Sequence, residues 1–292
     1  GGLGFVGSHL VAALGKNHVV DIVDGFTLEY PGHKYIHRGS KGLQETNNIE
    51  KYHRNLNLKY RLNLVKDNYR FLYRTNSYTQ LPLQKYDLIL NCGALSEAIL
   101  SQHFPDFTKD SIEEGIKCLK KFYSATPCLH ISSSMVYGTW EEVIDEQHSL
   151  GSDNHYGLSK IKAETLCGEK DVILRPIHIY GMGDGKFSIW MNIDRQIAIS
   201  KPVLVERAGC IYIDDFVIAI KKIIDSWNPG TYNISYNFTR NPEALRNVYP
   251  QEFEVKEKLG PTGKPRGLLS SDKLLKTFNI EFTHKNYEST IK

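Results

Sequence analysis

The sequence predicts an α/β protein with a doubly wound parallel sheet that helices cover on both faces. Short runs rich in β-branched and apolar residues alternate with longer stretches of amphipathic, helical period. A length of 292 residues suffices for one large α/β domain or two small ones. Alternating strands and helices are typical of a parallel sheet, because each crossover between parallel strands needs a connection about as long as a helix.

The predicted elements follow one another along the chain. The runs that predict strands are His18–Val23, Tyr69–Arg74, Tyr86–Asn91, Cys128–Ser132, Val172–Leu174, Pro202–Val205 and Thr231–Ile234. The stretches that predict helices are Phe5–Leu14, Asp110–Tyr123, Tyr156–Cys167, Ile189–Ser200 and Asp214–Trp227, with a less regular pattern over Asn48–Lys66. Beyond about Ile177 the predicted strands become sparser and the loops longer, so we expect a smaller C-terminal lobe to begin there.

Composition and charge exclude several classes of protein. The chain is 41% hydrophobic and 24% charged, and its net charge of +3 comes from interspersed charges of both signs. Such a balance argues against a nucleic-acid-binding surface. We expect no signal peptide, and no apolar run approaches the roughly 18 residues of a membrane-spanning helix. We therefore expect no membrane or nucleic-acid partner.

The cysteines predict free thiols rather than disulfides or a metal site. Their number is odd, no pair forms a CxxC motif, and no histidine lies at metal-ligand spacing from any of them. They are Cys92, Cys118, Cys128, Cys167 and Cys210. Free thiols are typical of the reducing cytoplasm, where we expect this protein to reside.

A glycine array opens the chain. Gly1, Gly4 and Gly7 form a GxxGxxG pattern that leads into the predicted helix Phe5–Leu14. The first two glycines permit a tight turn and a close approach of backbone N–H groups to a pyrophosphate, and the third lets the helix pack against the sheet. Because a helix and then a strand follow, the array predicts a Rossmann-type dinucleotide site rather than an ordinary turn.

Asp24 ends the strand that follows this helix, about 20 residues after Gly4, where a carboxylate binds ribose hydroxyls. A carboxylate there repels a 2′-phosphate, so the sequence favours NAD over NADP. The alternative is that Asp24 and Gly25 form a simple turn. A Rossmann unit also has a strand before its glycine loop. We expect such a strand, of about half a dozen residues, to be missing before Gly1.

A second group of residues predicts proton-transfer chemistry. The serine-rich segment Ile131–Gly138 follows a predicted strand, and Tyr156 and Lys160 lie four residues apart on one face of a predicted helix. A nearby ammonium lowers the pKa of a phenol, and Ser133 can hold the same substrate oxygen by a hydrogen bond. Proton removal at oxygen, together with hydride removal at the adjacent carbon, makes an alcohol oxidation. A YxxxK motif alone is common by chance. It is far more specific when it follows a serine-rich strand end in a chain that opens with a dinucleotide-binding loop.

These motifs together resemble the extended short-chain dehydrogenase/reductase family, the NAD-dependent epimerase/dehydratase group. Order and spacing match over nearly the whole chain. The matching segments are Gly1–Leu10, Asp24, Asn91–Ala94, Ser132–Gly138, Tyr156–Lys160, Leu174–Gly181, Ile211–Asp215 and Gly230–Ile234. The resemblance implies a Rossmann NAD-binding domain over 1–176, with contributions from about 202–235, and a mainly substrate-binding lobe over 177–292. It also implies a homodimer joined through the helices around Asp110–Tyr123 and Tyr156–Cys167.

The resemblance assigns roles residue by residue. It implies that Ser133, Tyr156 and Lys160 are catalytic. The cofactor-binding residues that it implies are Gly1, Gly4, Phe5, Val6, Gly7, Asp24, Asn76, Gly93, Ala94, Ser132, Tyr156 and Lys160. The substrate-binding residues that it implies are Ser134, His178, Arg207 and Arg266. A surface role is an equal alternative for Asn76, and ordinary surface or packing roles are the alternatives for His178 and the two arginines.

The residues after Ser133 help to choose among the reactions that the family resemblance implies. Dehydratases of the family carry acidic residues where this chain has Ser134 and Met135, so the resemblance favours a nucleotide-sugar epimerase that oxidises a hydroxyl transiently to a ketone. A reductase or dehydrogenase of a sugar or another alcohol is the alternative. A non-catalytic nucleotide-binding module is a third possibility, because Ser111, His178 and Arg207 depart from the family pattern.

Overall fold

The computed structural model describes residues 1–24, 57–74, 81–93, 98–184, 202–206, 209–236, 253–258 and 267–284. The helices among them are α1 (Phe5–Leu14), α2 (57–65), α3 (Ala98–His103), α4 (Pro105–Lys109), α5 (Gly115–Phe122), α6 (His155–Glu164), α7 (Ile213–Asp225) and α8 (Asp272–Phe278). The strands are β1 (Asp21–Asp24), β2 (Phe71–Arg74), β3 (Ile89–Asn91), β4 (Cys128–Ile131), β5 (Val172–Pro176), β6 (Ile179–Tyr180), β7 (Val203–Glu206), β8 (Ile211–Tyr212), β9 (Gly230–Ile234) and β10 (Val255–Lys258).

The central sheet is parallel and has the strand order β3-β4-β5-β9. Strands β1 and β2 form a separate parallel pair. Gly1 lies between the two sheets, since its backbone nitrogen donates to Val23 O at 2.7 Å and a Cβ built on it would lie 2.5 Å from the carbonyl carbon of Cys92. The parallel α/β fold predicted from the alternating pattern is confirmed.

The main core lies between the central sheet, α1 and α7. Phe216, Ile220 and Ile223 of α7 are fully buried and pack in one cluster with Leu129 of β4 and Val172 of β5. Their positions on α7 follow the helical period of three and four residues, which places them on one face. Each such side chain contributes about 1.5–3 kcal/mol through the apolar surface that it buries. This packing fixes the carboxyl ends of the parallel strands, where ligands bind in open α/β sheets.

Local turn chemistry explains several differences from the predicted elements. The first strand begins at Asp21 rather than His18, because the N–H groups of Asn17 and His18 still donate to Leu14 O and complete the last turn of α1. The single helix predicted over Asp110–Tyr123 is divided into a π-helical turn, Asp110–Glu114, followed by α5.

Some strands of the structure were not predicted from the sequence. The short strands β6, β8 and β10 were not predicted, because two to four residues carry no reliable period. The predicted helix Ile189–Ser200 lies outside the described residues. None of the helices that the structure describes combines the length and the apolar character needed to cross a membrane.

Candidate functional site

The glycine loop is too tightly packed for side chains. Gly4 N–H donates to Gly1 O at 3.1 Å, and Ser8 N–H donates to Gly4 O at 3.0 Å as α1 begins. A Cβ on Gly7 would collide with Gly1 O and lie 2.7 Å from the Cα of Gly2. Phe5 and Val6 form the first turn of α1, whose N–H groups have no partner within the helix. The loop therefore presents backbone donors at a helix N-terminus, which is the usual setting for a phosphate group.

Asp24 fixes the position of a carboxylate beside this loop. Its Oδ2 accepts a hydrogen bond from Leu3 N–H at 2.9 Å and lies 3.5 Å from the backbone nitrogen of Gly1. The Asp24 side chain is 16% exposed. A glycine cradle, a helix N-terminus and an accessible carboxylate at the end of β1 fit the pyrophosphate and ribose of a dinucleotide, and NAD in particular.

Ser133, Tyr156 and Lys160 are brought together at the carboxyl end of β4. Ser133 caps a 3₁₀ turn, Ser134–Tyr137, by accepting a hydrogen bond from Met135 N–H at 3.2 Å. The Ser133 side chain lies close enough to the Tyr156 phenol to lower its pKa. The Nζ of Lys160 lies 5.7 Å from the centroid of the Tyr156 ring and donates to Ile131 O at 2.7 Å. The structure thus assembles the three side chains that the sequence motifs indicated.

A close approach between α6 and the 3₁₀ turn positions Tyr156. A Cβ on Gly157 would lie 2.5 Å from Met135 O, so a glycine is required for this contact. Asn154 caps α6 by accepting a hydrogen bond from Gly157 N–H at 2.9 Å. Tyr156 N–H donates to the buried Ser101 Oγ at 3.1 Å. The helix is therefore held at its first turn, next to the residue that carries the phenol.

Burial controls the proton affinity of both groups on α6. It raises the pKa of Tyr156 to about 12, although the nearby Ser133 side chain opposes this change. It lowers the pKa of Lys160 to about 8, against the opposing charge of Glu164. In the chain without cofactor, burial has the larger effect on Tyr156, because desolvation disfavours the charged tyrosinate. The expectation that Lys160 and bound NAD⁺ lower the pKa of the phenol stays a prediction.

A buried polar network adjoins these residues and was missed in the sequence. Ser132 Oγ donates to Glu164 Oε1 at 2.5 Å, and Arg175 donates to both oxygens of Glu164. Arg175 also donates to the hydroxyl of Tyr137 at 2.7 Å, and that hydroxyl donates to Asn233 Oδ1 at 2.8 Å. The available signal was a glutamate one helical turn beyond Lys160, on the same face.

The other predicted site residues differ in how the structure places them. Ser134 lies in the 3₁₀ turn and is only 2% exposed. Gly93 contacts the glycine loop, because a Cβ on Gly1 would lie 2.5 Å from its nitrogen. His178 lies between β5 and β6, where its carbonyl oxygen accepts Ile211 N–H. The predicted residues outside the described part of the chain are Asn76, Ala94, Arg207 and Arg266.

The fold also assembles a buried cluster that sequence spacing excluded. His130, Cys167 and Asp171 place one nitrogen, sulfur or oxygen atom each within 4.8 Å of one another. The ammonium of Lys120 contacts the Asp171 carboxylate, which also accepts Gly168 N–H at 2.7 Å. Because Lys120 already neutralises this carboxylate, the cluster is stable as an ion pair within the protein. Residues distant in the chain meet here only through the pairing of β4 and β5.

The fold and the site together define a dinucleotide-binding α/β protein with a Ser/Tyr/Lys group beside its glycine loop. The chain belongs to the NAD-dependent epimerase/dehydratase family, whose model matches residues 1–235. It is therefore a member of a family of NAD-dependent enzymes, and the predicted resemblance is confirmed. None of the curated protein sequences matches the chain significantly.

Solved structures with the same fold cover nearly the whole chain. UDP-glucuronic acid 4-epimerase from Bacillus cereus in complex with NAD matches 97% of this chain and 90% of its own, with 18% identity and a TM-score of 0.72. DesIV, a dTDP-glucose 4,6-dehydratase from Streptomyces venezuelae with NAD bound, matches 99% and 94%, with 16% identity and a TM-score of 0.73. UDP-N-acetylglucosamine 4-epimerase from Methanobrevibacter ruminantium M1 matches 99% and 93%, with 18% identity and a TM-score of 0.73. These similarities show the Rossmann-type fold.

Proposed function

We propose that this protein is an NAD-dependent epimerase that acts on a nucleotide sugar by transient oxidation of a hydroxyl to a ketone. The observation that carries this proposal is the assembly of Ser133, Tyr156 and Lys160 at the end of β4, at the same edge of the protein as the glycine loop. Membership of the NAD-dependent epimerase/dehydratase family supports it. Related folds are described with UDP-glucuronic acid or UDP-N-acetylmuramic acid bound, which supports a nucleotide sugar as the substrate class.

The side chains have separate tasks in this reaction. Ser133 holds the substrate hydroxyl by a hydrogen bond, and Tyr156 takes its proton and later returns it. Lys160 favours the charged form of the phenol by its ammonium. The glycine loop and Asp24 would hold NAD⁺, which would supply the acceptor and later the donor of a hydride at the substrate carbon. No net oxidation results, because the proton on Tyr156 and the bound cofactor return to the starting state.

The residues after Ser133 favour epimerisation over dehydration. Elimination of water from a sugar needs an acid and a base in addition to the tyrosine. The two positions that follow Ser133 are Ser134, which is buried, and Met135, whose N–H is bonded to Ser133. Neither side chain is a carboxylic acid. Transient oxidation followed by reduction of the same carbon needs only the three residues already assembled.

The test begins with the purified full-length protein. After denaturation, the supernatant is assayed for NAD(H), and the native protein is then incubated with UDP-glucuronic acid, UDP-glucose or UDP-N-acetylglucosamine. Proton NMR of the sugar ring reports inversion at C4. We expect retained cofactor and inversion without net formation of NADH, and no inversion by Tyr156→Phe. Stoichiometric NADH formation would point to a dehydrogenase instead, and absence of NAD binding would point to a non-catalytic module.

We also propose that two copies associate through the helices that flank the site. Leu158 of α6 is 49% exposed and Phe122 of α5 is 36% exposed, and such large apolar side chains are more stable when a partner covers them. Light scattering on a sizing column measures this directly, with a dimer expected and a monomer contradicting it. A cytoplasmic location remains a prediction from the free cysteines.

A further inference from the structure

Two side chains of α6 bind consecutive residues at the end of β4. Lys160 Nζ donates to Ile131 O at 2.7 Å, and Glu164, one helical turn later, accepts from Ser132 Oγ at 2.5 Å. Ser133 follows directly. The helix that carries Tyr156 is therefore attached twice to the strand that leads to Ser133.

The carboxylate of Glu164 is itself held rigidly. Arg175 donates from Nε to Oε1 at 3.0 Å and from Nη2 to Oε2 at 2.6 Å. This bidentate geometry fixes the plane of the carboxylate. Both side chains are nearly buried, at 9% exposure for Glu164 and 7% for Arg175. A buried pair of this kind costs desolvation, so its retention beside Lys160 calls for a role other than stability alone.

We propose that Glu164 is a positioning residue that keeps the Lys160 ammonium charged and aligned with the Ser133–Tyr156 pair. The proposal rests on the proposed function, because it gives Lys160 the task of favouring the ionised phenol. Glu164 touches neither Ser133 nor Tyr156 in this arrangement and acts on them through Lys160 and Ser132.

In the part of the chain that the structure describes, the other groups that face Lys160 carry no negative charge at neutral pH, whereas Glu164 does. They are Cys92 after β3, His130 on β4, and Cys167 after α6, in addition to Tyr156. Burial raises the pKa of Cys92 to about 11 and that of Cys167 to about 12, so both thiols are neutral at neutral pH. Burial lowers the pKa of His130, which is therefore neutral as well.

The two α6 side chains line one small cavity that polar and apolar groups share. The cavity, of about 20 Å³, is lined by Lys160, Glu164, Ser132 and His130 and by apolar residues such as Ile112. This volume accommodates about one water molecule. With so little solvent to screen it, the carboxylate of Glu164 acts on the ammonium more strongly than a surface charge would.

The test is the titration of Lys160 in the protein without substrate. Lysines are labelled with ¹³C at Cε, and the Lys160 resonance is identified by its loss in Lys160→Met. Glu164→Gln keeps the shape of the side chain and can still accept from Ser132, but it removes the charge. We expect the titration midpoint of Lys160, about 8 in the wild type, to fall by about one unit or more in Glu164→Gln. An unchanged midpoint would overturn the proposal.

Two further variants serve as a substitute for Glu164→Gln and as a control without a change of charge. Glu164→Gln leaves the Arg175 cation without its partner, so Glu164→Gln/Arg175→Gln removes both charges and serves if the single variant does not fold. Its Lys160 midpoint is again expected below that of the wild type, since Glu164 is the strongest favourable charge on Lys160. Ser132→Ala removes the hydrogen bond between Ser132 and Glu164 but no charge. We therefore expect the titration midpoint of Lys160 to stay unchanged and turnover of the sugar nucleotide to fall. A midpoint that shifts as much in Ser132→Ala would contradict the role of charge.

This design separates the proposal from the proposed function. The Lys160 midpoint is measured without any sugar nucleotide, so it tests Glu164 even if no epimerisation is found. Conversely, the wild type could epimerise the sugar while the Lys160 titration midpoint stays unchanged in both charge variants. That result would contradict the positioning role of Glu164 and leave the proposed function intact.

Discussion

The ammonium of Lys160 donates a 2.7 Å hydrogen bond to the carbonyl oxygen of Ile131, so helix α6 is fixed to the strand end that leads to Ser133. Tyr156, four residues before Lys160 on the same helix face, is thereby held near Ser133. The geometry of the Ser133–Tyr156 pair depends on the contact between α6 and β4. Changes at that contact should affect activity even where they leave the reacting groups in place.

Tyr156→Phe removes the proposed acid–base group but keeps the buried ring. Loss of a positioned proton donor and acceptor typically lowers the rate about 10²–10⁴-fold. Stability should change by only about 1 kcal/mol, the typical net contribution of one hydrogen bond, because the buried ring is kept. Epimerase kinetics and urea unfolding measure the two effects. Turnover within a few-fold of the wild type would contradict the role of Tyr156.

Gly4→Ala separates cofactor binding from folding. The nearest atom to an added Cβ is Gly1 O at 3.2 Å, and the φ of −68° suits alanine, so the fold should tolerate the change. The Cβ would stand where the loop presents its N–H groups to a pyrophosphate. We expect NAD affinity to fall about tenfold or more, equivalent to about 1.4 kcal/mol, as measured by calorimetry. Gly151→Ala, where nothing lies within 4 Å of the added Cβ, is the matched control.

Gly157→Ala tests the approach of α6 to the 3₁₀ turn. The added Cβ would lie 2.5 Å from Met135 O, so the helix must move away from the turn that follows Ser133. We expect a loss of about 1–3 kcal/mol in the free energy of unfolding and a drop in activity of about tenfold or more, because small misplacements of reacting groups are costly. Gly151→Ala, where nothing lies within 4 Å of the added Cβ, should leave activity close to that of the wild type. Equal activity of the two variants would show that the close approach is unimportant.

Lys160 makes stability depend on alkaline pH. Burial lowers its pKa from 10.5 to about 8 in the folded protein. Between these values the unfolded chain binds more protons than the folded chain, so the free energy of unfolding due to Lys160 rises with pH. The penalty below pH 8 corresponds to about 3 kcal/mol and is relieved toward pH 10.5. Urea unfolding of the wild type and Lys160→Met should show the wild type gaining on the variant from about pH 7 to about pH 10. Parallel curves would indicate that Lys160 is not perturbed.

Features set by neighbouring residues could be predicted well. Helix α1 begins and ends where its apolar period and glycines indicated, at Phe5 and Leu14. The strands around Cys128 and Val172 were found within about two residues of their predicted limits. Short strands such as β6 and β8 escaped prediction because their two residues are held by pairing with each other and not by any local pattern.

The sequence by itself determined the parallel α/β fold, the glycine loop and the grouping of Ser133, Tyr156 and Lys160, because these depend on steric limits and on the periods of helices and strands. Only the tertiary structure decided how those groups are charged and held. Glu164, Ser132 and Arg175 meet through the packing of α6 on β4 and β5, as do His130, Cys167 and Asp171. Burial, which raises the pKa of Tyr156, likewise arises only when distant segments exclude water together.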